Sequence, residues 1–327
     1  MTSPRPVPSF PLSVPPTDTE VDTWWAVLTA ARAADLPGLP GPSRTEVAGR
    51  LRVPPARGRS LHWAAGDAGD EGVAELFLFE DGANDTTAAL EELTVRPDAR
   101  RRGVGTALWE RVRAELQAAG RTSVEVMPDL GGPGQAFAES LGFTCVLPLA
   151  WYVQEVPEPP GPAADAPAGY RWVAWEGVVP DAWAAPAAAA HGAMADAPSG
   201  ETDERVPSWD ADRLRAAGQL ILDRGGRFLT VAAVTAEGEV AAYTELVLPD
   251  PAATRALQYD TVVVPRHRGH GLGRAVKRRM LAEVASAYPG LRWIGTTVAD
   301  ENTPMRAVNE ALGYRRERAA AVYRLKL

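Results

Sequence analysis

Asp260-Thr-Val-Val-Val-Pro265-Arg-His-Arg268-Gly-His-Gly271-Leu-Gly273-Arg274-Ala-Val-Lys277 is the stretch whose reading decides the fold. The β-branched run Thr261 to Val264 predicts a buried strand. Pro265 ends it, because proline has no N–H to give to a sheet ladder. Gly269, Gly271 and Gly273 follow at alternate positions. Ala275, Val276, Met280, Leu281 and Val284 then recur at helical spacing, with Lys277, Arg278 and Arg279 between them. The pattern is strand, glycine turn, helix. Such a turn aims backbone N–H groups outward at a helix N-terminus, where the helix dipole favours an anion. Arg268 and Arg274 add guanidinium groups of the kind that pair with phosphate.

The same construction stands earlier in the chain as Leu93-Thr-Val95-Arg-Pro97-Asp-Ala-Arg100-Arg-Arg-Gly103-Val-Gly105-Thr-Ala-Leu108. Arg268 lies 168 residues after Arg100, and Leu312-Gly313-Tyr314 lies 171 after Leu141-Gly142-Phe143. Tyr152 and Tyr323 each fall ten residues beyond those glycines. The chain therefore reads as an internal duplication with a small length difference inside it.

Arg-x-x-Gly-x-Gly between a strand and a helix resembles motif A of the GNAT superfamily, the GCN5-related N-acetyltransferases. It occurs as Arg100-x-x-Gly103-x-Gly105 and as Arg268-x-x-Gly271-x-Gly273. Asn302-x-x-Met305-x-x-x-Asn309-x-x-Leu312-Gly313-Tyr314 is similar to the family's closing helix and strand. Over residues 20–156 and 170–327 the chain resembles tandem-GNAT proteins of the mycothiol-synthase-like kind. The resemblance implies two tandem α/β (α+β) domains, each a mixed, mostly antiparallel sheet flanked by helices. The expected organisation is a mobile arm over 1–17, an N-terminal domain over 18–156, a proline-rich linker over 157–169 and a C-terminal domain over 170–327.

The resemblance also implies a chemistry. GNAT enzymes hold acetyl-CoA with its pyrophosphate on the glycine-turn amides and its pantetheine arm along the motif strand, and the acceptor amine attacks the thioester directly. In the second half this assigns the coenzyme to Val262, Val263, Val264, Arg268, Gly269, His270, Gly271, Leu272, Gly273, Arg274 and Asn302. In the first half it assigns Leu93, Thr94, Val95, Arg100, Arg101, Arg102, Gly103, Val104, Gly105 and Thr106. An ammonium must lose its proton before attack, and a carboxylate or a water chain can take it. Asp260 and Glu245 are the candidate bases, each otherwise a solvated or ion-paired strand carboxylate; Glu92 holds the place of Asp260 in the first half. Strand alternation decides which face each uses, and sequence leaves that open.

The chain departs from its family at the general acid. Where many GNAT enzymes place a tyrosine, four residues before the glycine of Leu-Gly-aromatic, it has Asn309 and, in the first half, Ala138. Asn309 remains a hydrogen-bond donor for the departing sulfur, with Tyr314 or Tyr323 as substitutes. The first half also carries Gly131-Gly-Pro-Gly134 where the second has Asn302-Thr-Pro-Met305. The expectation is a catalytic second half and a degenerate first half. Two functions stand: acetyl transfer to the primary amine of a small molecule, or a non-catalytic acyl-CoA sensor or scaffold. Asp196, in the region that shapes acceptor pockets in GNAT folds, either meets a cationic amine or caps a turn. Trp183 and Trp209 are candidate pocket walls.

Composition agrees with a globular chain: 46% hydrophobic and 23% charged over 327 residues, enough for two domains. A net charge of −8 argues against nucleic acid as a partner. No run of apolar residues reaches membrane-spanning length, and no secretory signal is read before Asp18, so neither a membrane nor an export route is expected. The single cysteine, Cys145, suits a reducing cytoplasm and is expected to be buried in a strand. Assembly is expected to be monomeric or homodimeric. No Gly-x4-Gly-Lys-Ser/Thr or Gly-x-Ser-x-Gly occurs, and the glycines do not follow the Gly-x-Gly-x-x-Gly dinucleotide pattern. His62, His191, His267 and His270 are scattered apart from the last pair, so no metal is expected.

Overall fold

The structure, a computed structural model, describes residues 7–157, 165–206 and 208–327. These divide into two compact units. The first holds the chain through Leu147 together with Glu201–Arg205 and Ala321–Leu327; the second holds Pro148–Gly200 and Val206–Ala320.

In chain order the first half supplies β1 (Ser9–Pro11), α1 (Asp18–Asp35), α2 (Arg44–Arg52), β2 (Gly58–Ala65), β3 (Gly72–Phe79) and β4 (Thr87–Val95). It continues with α3 (Val104–Ala118), β5 (Ser123–Val126), α4 (Pro133–Ser140) and β6 (Thr144–Glu155). The second half supplies β7 (Arg171–Glu176), α5 (Asp181–His191), α6 (Ala211–Asp223), β8 (Arg227–Val234), β9 (Val240–Leu248) and β10 (Arg255–Val263). It ends with α7 (Leu272–Ala287), β11 (Trp293–Ala299), α8 (Thr303–Ala311) and β12 (Arg315–Lys326).

Local chemistry starts these elements. Thr17 Oγ1 accepts the Glu20 N–H at 3.2 Å while Glu20 Oε2 accepts the Thr17 N–H at 2.8 Å. This reciprocal cap opens α1, and its loss costs about 1 kcal/mol. The helix then buries Val21, Trp24, Val27, Leu28 and Ala31. Helix α3 turns Leu108, Trp109, Val112 and Leu116 into the first core; α7 turns Val276, Met280 and Val284 into the second. Each such side chain contributes roughly 1.5–3 kcal/mol on burial.

The sheet of the first unit runs β1-β2-β3-β4-β5-β12, and that of the second β6-β11-β10-β9-β8-β7. The closing strands are exchanged relative to sequence order. Residues 149–155 of β6 pair antiparallel with β11, and Tyr323–Lys326 of β12 pair with β5. The boundary expected at residue 156 therefore does not separate the two folding units. The expected arm is also partly ordered, since Ser9–Pro11 pairs with Trp63–Ala65 of β2. Of the expected linker, residues 158–164 lie outside the described residues.

Two irregularities shape each sheet. Between Gln258 and Thr261 the register of β10 against β9 shifts, so that Tyr259 and Asp260 together oppose Glu245, a β-bulge. Strand β10 also pairs in parallel with β11 only over Arg255–Leu257. Beyond Leu257 the two strands part, leaving a slot along β10 that leads to the glycine turn. The first unit repeats both features. Its register shifts at Glu75/Leu76, where Leu76 faces Leu90 and Glu75 faces Glu92, and β4 pairs with β5 only over Thr87–Ala89.

Candidate active site

Gly271 caps α7 in the left-handed region, at φ 71°, and Gly103 caps α3 at φ 90°. The first helical amides with acceptors are Ala275, to Gly271 O at 3.1 Å, and Ala107, to Gly103 O at 2.9 Å. The N–H groups of Leu272, Gly273 and Arg274, and of Val104, Gly105 and Thr106, thus precede the hydrogen-bond ladder and form two ready-made anion sites. Gly273 lies against the strand: a Cβ there would sit 3.4 Å from Val263 Cγ2.

The signature arginines are both hydrogen-bonded within the protein. Arg268 Nε donates to Val263 O at 3.1 Å, and its Nη2 donates to Asp196 at 2.6 Å. Arg100 Nε donates to Val95 O at 3.0 Å, and its two terminal nitrogens hold Asp35 at 2.7 Å each. Both tie the turn back to the strand that enters it. Arg274, Arg101 and Arg102 are exposed beside the turns, as is Arg268. His270 Nδ1 lies 3.2 Å from His267 O, and His267 sits between Tyr170 and Glu239. Asn302 caps α8, its Oδ1 accepting the Met305 N–H at 3.2 Å. Val262 and Val264 are buried in the core and Val263 is half-buried. Leu93, Thr94 and Val95 are half-buried at the equivalent place in β4.

The bulge brings Asp260 and Glu245 to one histidine. His191, the last residue of α5, places Nε2 3.1 Å from Glu245 Oε1 and Nδ1 3.8 Å from Asp260 Oδ2. Its ring stacks on Tyr243 with centroids 4.4 Å apart and lies 4.7 Å from the Trp209 ring. His191, Glu245, Thr230 and Tyr243 share a small pocket with Trp175, Phe228 and Leu214. Burial pushes the Asp260 carboxyl up to about 6, the Glu245 charge adds to the rise, and His191 partly offsets it. Burial, with the same two carboxylates, raises the Tyr243 phenol well above its ordinary value. The sequence offered no local sign of His191, which ends an alanine-rich helix. Its role depends on strands 54 and 69 residues further on.

Asn309 and Tyr314 join a different cluster. Asn309 is fully buried and its Oδ1 accepts from Lys277 Nζ at 2.6 Å, leaving Nδ2 without a partner among the described residues. Lys277, itself buried, lies 4.6 Å from the Tyr314 ring centroid, and burial lowers its pKa to about 7. Tyr314 donates to Gln258, whose amide donates to Thr244 Oγ1 at 2.7 Å. Lys277 was read only as one of the basic residues between the apolar positions; the structure buries it beside Val276 and Met280 on α7. Tyr323 is no substitute acid here, since it bonds Gln135 and Glu139 within the first unit. Asp196 meets Arg268 instead of capping a turn. Trp209 does wall the histidine, while Trp183 lies under Arg171. Cys145, expected inside, is exposed.

In the first unit the equivalent carboxylates, Glu75 and Glu92, meet Arg50 at 3.2 and 3.4 Å. His62 lies 3.5 Å from Glu75. Burial alone would raise the Glu75 carboxyl, but His62 and Arg50 outweigh it and hold it below the ordinary range.

Fold and site together define a duplicated mixed-sheet protein with a parted strand pair leading to a glycine-capped helix N-terminus in each copy. An acetyltransferase (GNAT) domain model matches residues 58–145, and an acetyltransferase (GNAT) family model matches 192–314. Together they span more than half of the sequence: the chain belongs to the GNAT acetyltransferase family and carries the domain in tandem. Among solved structures, a tandem GNAT protein from the clavulanic acid biosynthesis pathway superposes with a TM-score of 0.79 at 27% identity, covering 98% of both chains. A GCN5-related N-acetyltransferase from Sphaerobacter thermophilus gives a TM-score of 0.70 at 17% identity over 99% of this chain and 97% of that one. A putative acetyltransferase from Pyrococcus horikoshii gives 0.60 at 14% identity over 99% and 90%. No curated protein sequence matches the chain.

Proposed function

We propose that the protein is an acetyl-CoA-dependent N-acetyltransferase that acts on the primary amine of a small molecule, and that the second unit carries the reaction. Acetyl-CoA supplies an activated acyl carbon. The free amides of Leu272, Gly273 and Arg274, with the exposed Arg274 guanidinium, suit its diphosphate. The slot along β10 suits an extended arm, whose amides find strand N–H and C=O groups left open where β11 departs. The single observation that carries the reading is the bulge. It sets the Asp260 carboxylate beside that slot with a raised pKa, where a base for an ammonium is required.

For the first unit we propose coenzyme binding without turnover. Its turn is equivalent, but Arg50 meets both Glu75 and Glu92, and His62 with Arg50 holds the Glu75 carboxyl below its ordinary range. The test is calorimetry with CoA on the full chain, followed by thiol release from acetyl-CoA with a panel of primary amines. Binding with turnover of some amines is expected. Tight binding with silence across a broad panel would favour a sensor; no binding at all would sink the carrier assignment.

A further inference from the structure

Resting on that reading, we propose that Asp260 takes the proton of the acceptor ammonium and passes it to buried His191, with Glu245 balancing the imidazolium so formed. Asp260 is the catalytic residue; His191 and Glu245 act through it as positioning residues.

Exposure orders the three groups. The Asp260 side chain is 35% exposed, against 3% for His191 and 7% for Glu245. Only Asp260 can meet a substrate without rearrangement. Glu245 accepts from Nε2, which fixes the tautomer with the proton on Nε2 and leaves Nδ1 basic. Nδ1 is buried and has no hydrogen-bond partner among the described residues, yet it faces Asp260 across 3.8 Å. A buried nitrogen left unpaired costs stability. Carboxyl rotation at Asp260, or an intervening water, closes that distance; the ring itself is held by Tyr243 and Trp209. Tyr243 also belongs to β9 and stays a neutral phenol, Thr230 of β8 is uncharged, and Trp209 precedes α6. The charge balance around the ring therefore rests on Glu245 and Asp260.

The proton count closes. The ammonium N–H bond breaks and its electron pair stays on nitrogen for attack. The proton moves to the Asp260 carboxylate and then to Nδ1, while the Nε2 proton stays on Nε2 in its hydrogen bond to Glu245. Collapse of the tetrahedral adduct breaks the C–S bond, and the CoA thiolate takes up the second proton that the amine nitrogen loses. The imidazolium then returns the first proton through Asp260 to solvent, so that Asp260 is anionic and Nδ1 is free before the next ammonium arrives. The raised Asp260 pKa supports the first transfer, since a carboxylate near 6 holds a proton far better than an ordinary one.

The experiment has two arms on the full chain. In the first, imidazole nitrogen shifts of His191 are followed by NMR across pH, with the signal assigned by its loss in His191→Gln. Asp260→Asn should move the His191 titration to lower pH, because a facing anion is gone. A titration curve unmoved in Asp260→Asn overturns the relay. In the second, the pH dependence of acetyl-CoA turnover is measured with any amine of the panel that reacts. Glu245→Gln should move the acidic limb to lower pH, since the Glu245 charge raises Asp260. His191→Gln should move it to higher pH and lower kcat about tenfold, less than the ~100-fold typical of losing a general base. Limbs that stay in place while kcat falls indicate packing alone and overturn the proposal. CoA affinity is measured on each variant. Its absence in the wild type condemns the carrier reading, whereas normal affinity with unmoved limbs condemns only the relay. If His191→Gln does not fold, Glu245→Gln and Asp260→Asn decide the matter.

Discussion

The two halves place two carboxylates at the same bulge and then diverge in the cation that meets them. In the first unit Arg50, from α2, binds Glu75 and Glu92; in the second His191, from α5, lies between Glu245 and Asp260. A guanidinium keeps its proton at any pH the fold survives. With His62 it holds the Glu75 carboxyl below its ordinary range, and Arg50, Glu75 and Glu92 form an ion cluster. An imidazole gains and loses a proton near neutrality. The duplicated strands, turns and bulge are common property. What differs is the side chain that bridges each carboxylate pair, Arg50 in one unit and His191 in the other.

The largest expected separation between the halves is at the turn glycines. Gly271→Val forces a β-branched residue to φ 71°, a conformation reserved for glycine, although open space surrounds its Cβ. Acetyl transfer should fall below detection while the thermal midpoint moves by a few degrees. Gly103→Val strains the other turn at φ 90° in the same way. It should leave turnover within about twofold and remove one equivalent of bound CoA in calorimetry, a magnitude that follows if the units act independently. Equal loss of turnover from both would mean that the first unit takes part in the reaction.

Next comes the carboxylate pair. Asp260→Asn should lower kcat by ~100-fold with little change in KM for acetyl-CoA. Glu92→Gln should leave kcat unchanged and cost stability instead, by about 1–3 kcal/mol, because it leaves Arg50 short of an anion. Urea unfolding of the two variants beside their kinetics separates chemistry from structure.

A third contrast concerns Lys277, which has no counterpart cation in the first unit's helix: offset from it by the same spacing stands Trp109. The Lys277 pKa is lowered from 10.5 to about 7 on folding, so the unfolded chain binds more protons between those values. Its contribution is therefore destabilising at neutral pH, and the penalty shrinks as pH rises toward 10.5. The double variant Lys277→Met, Asn309→Leu replaces the polar pair by apolar groups. It should raise stability at pH 7 by about 1–4 kcal/mol. The gain should narrow at pH 10, a trend that denaturant titrations at the two pH values would resolve.

How much of this was open to a reader of sequence follows from the range of the forces involved. The glycine turns and the strand entering each turn are local patterns of residue type, and the structure has them where the pattern predicts. Asp260 and Glu245 were found because they sit on the motif strand and its neighbour. The bulge that brings both to one imidazole depends on how β9 and β10 pair, which no local pattern encodes. His191 was out of reach for the same reason. The closing strands were recognised as strands, but a strand's own sequence does not name its partner, so the exchange of 149–155 and 323–326 went unread. Arg100 and Arg268 were assigned to phosphate from their charge beside a glycine turn, and their carboxylate partners were not foreseen. Their partners Asp35 and Asp196 lie 65 and 72 residues away.

Those two arginines supply the smallest and most delicate contrast. Arg100 grips Asp35 through two bonds with both side chains about a quarter to a third exposed, whereas Arg268 reaches Asp196 through one bond with both half exposed. Asp35→Asn should therefore cost about 1 kcal/mol and Asp196→Asn roughly half that or less, as exposed pairs do. The second substitution has a further consequence, because it frees a guanidinium at the mouth of the slot. CoA affinity should rise two- to threefold at low ionic strength, an effect that ~0.5 M salt erases by screening. The corresponding change at Asp35 should move affinity less, since Arg100 keeps its bond to Val95 O in a more enclosed setting. Equal gains at both turns, or a gain at Asp196 that survives salt, would show that the carboxylates act on the shape of the turns and not on their charge.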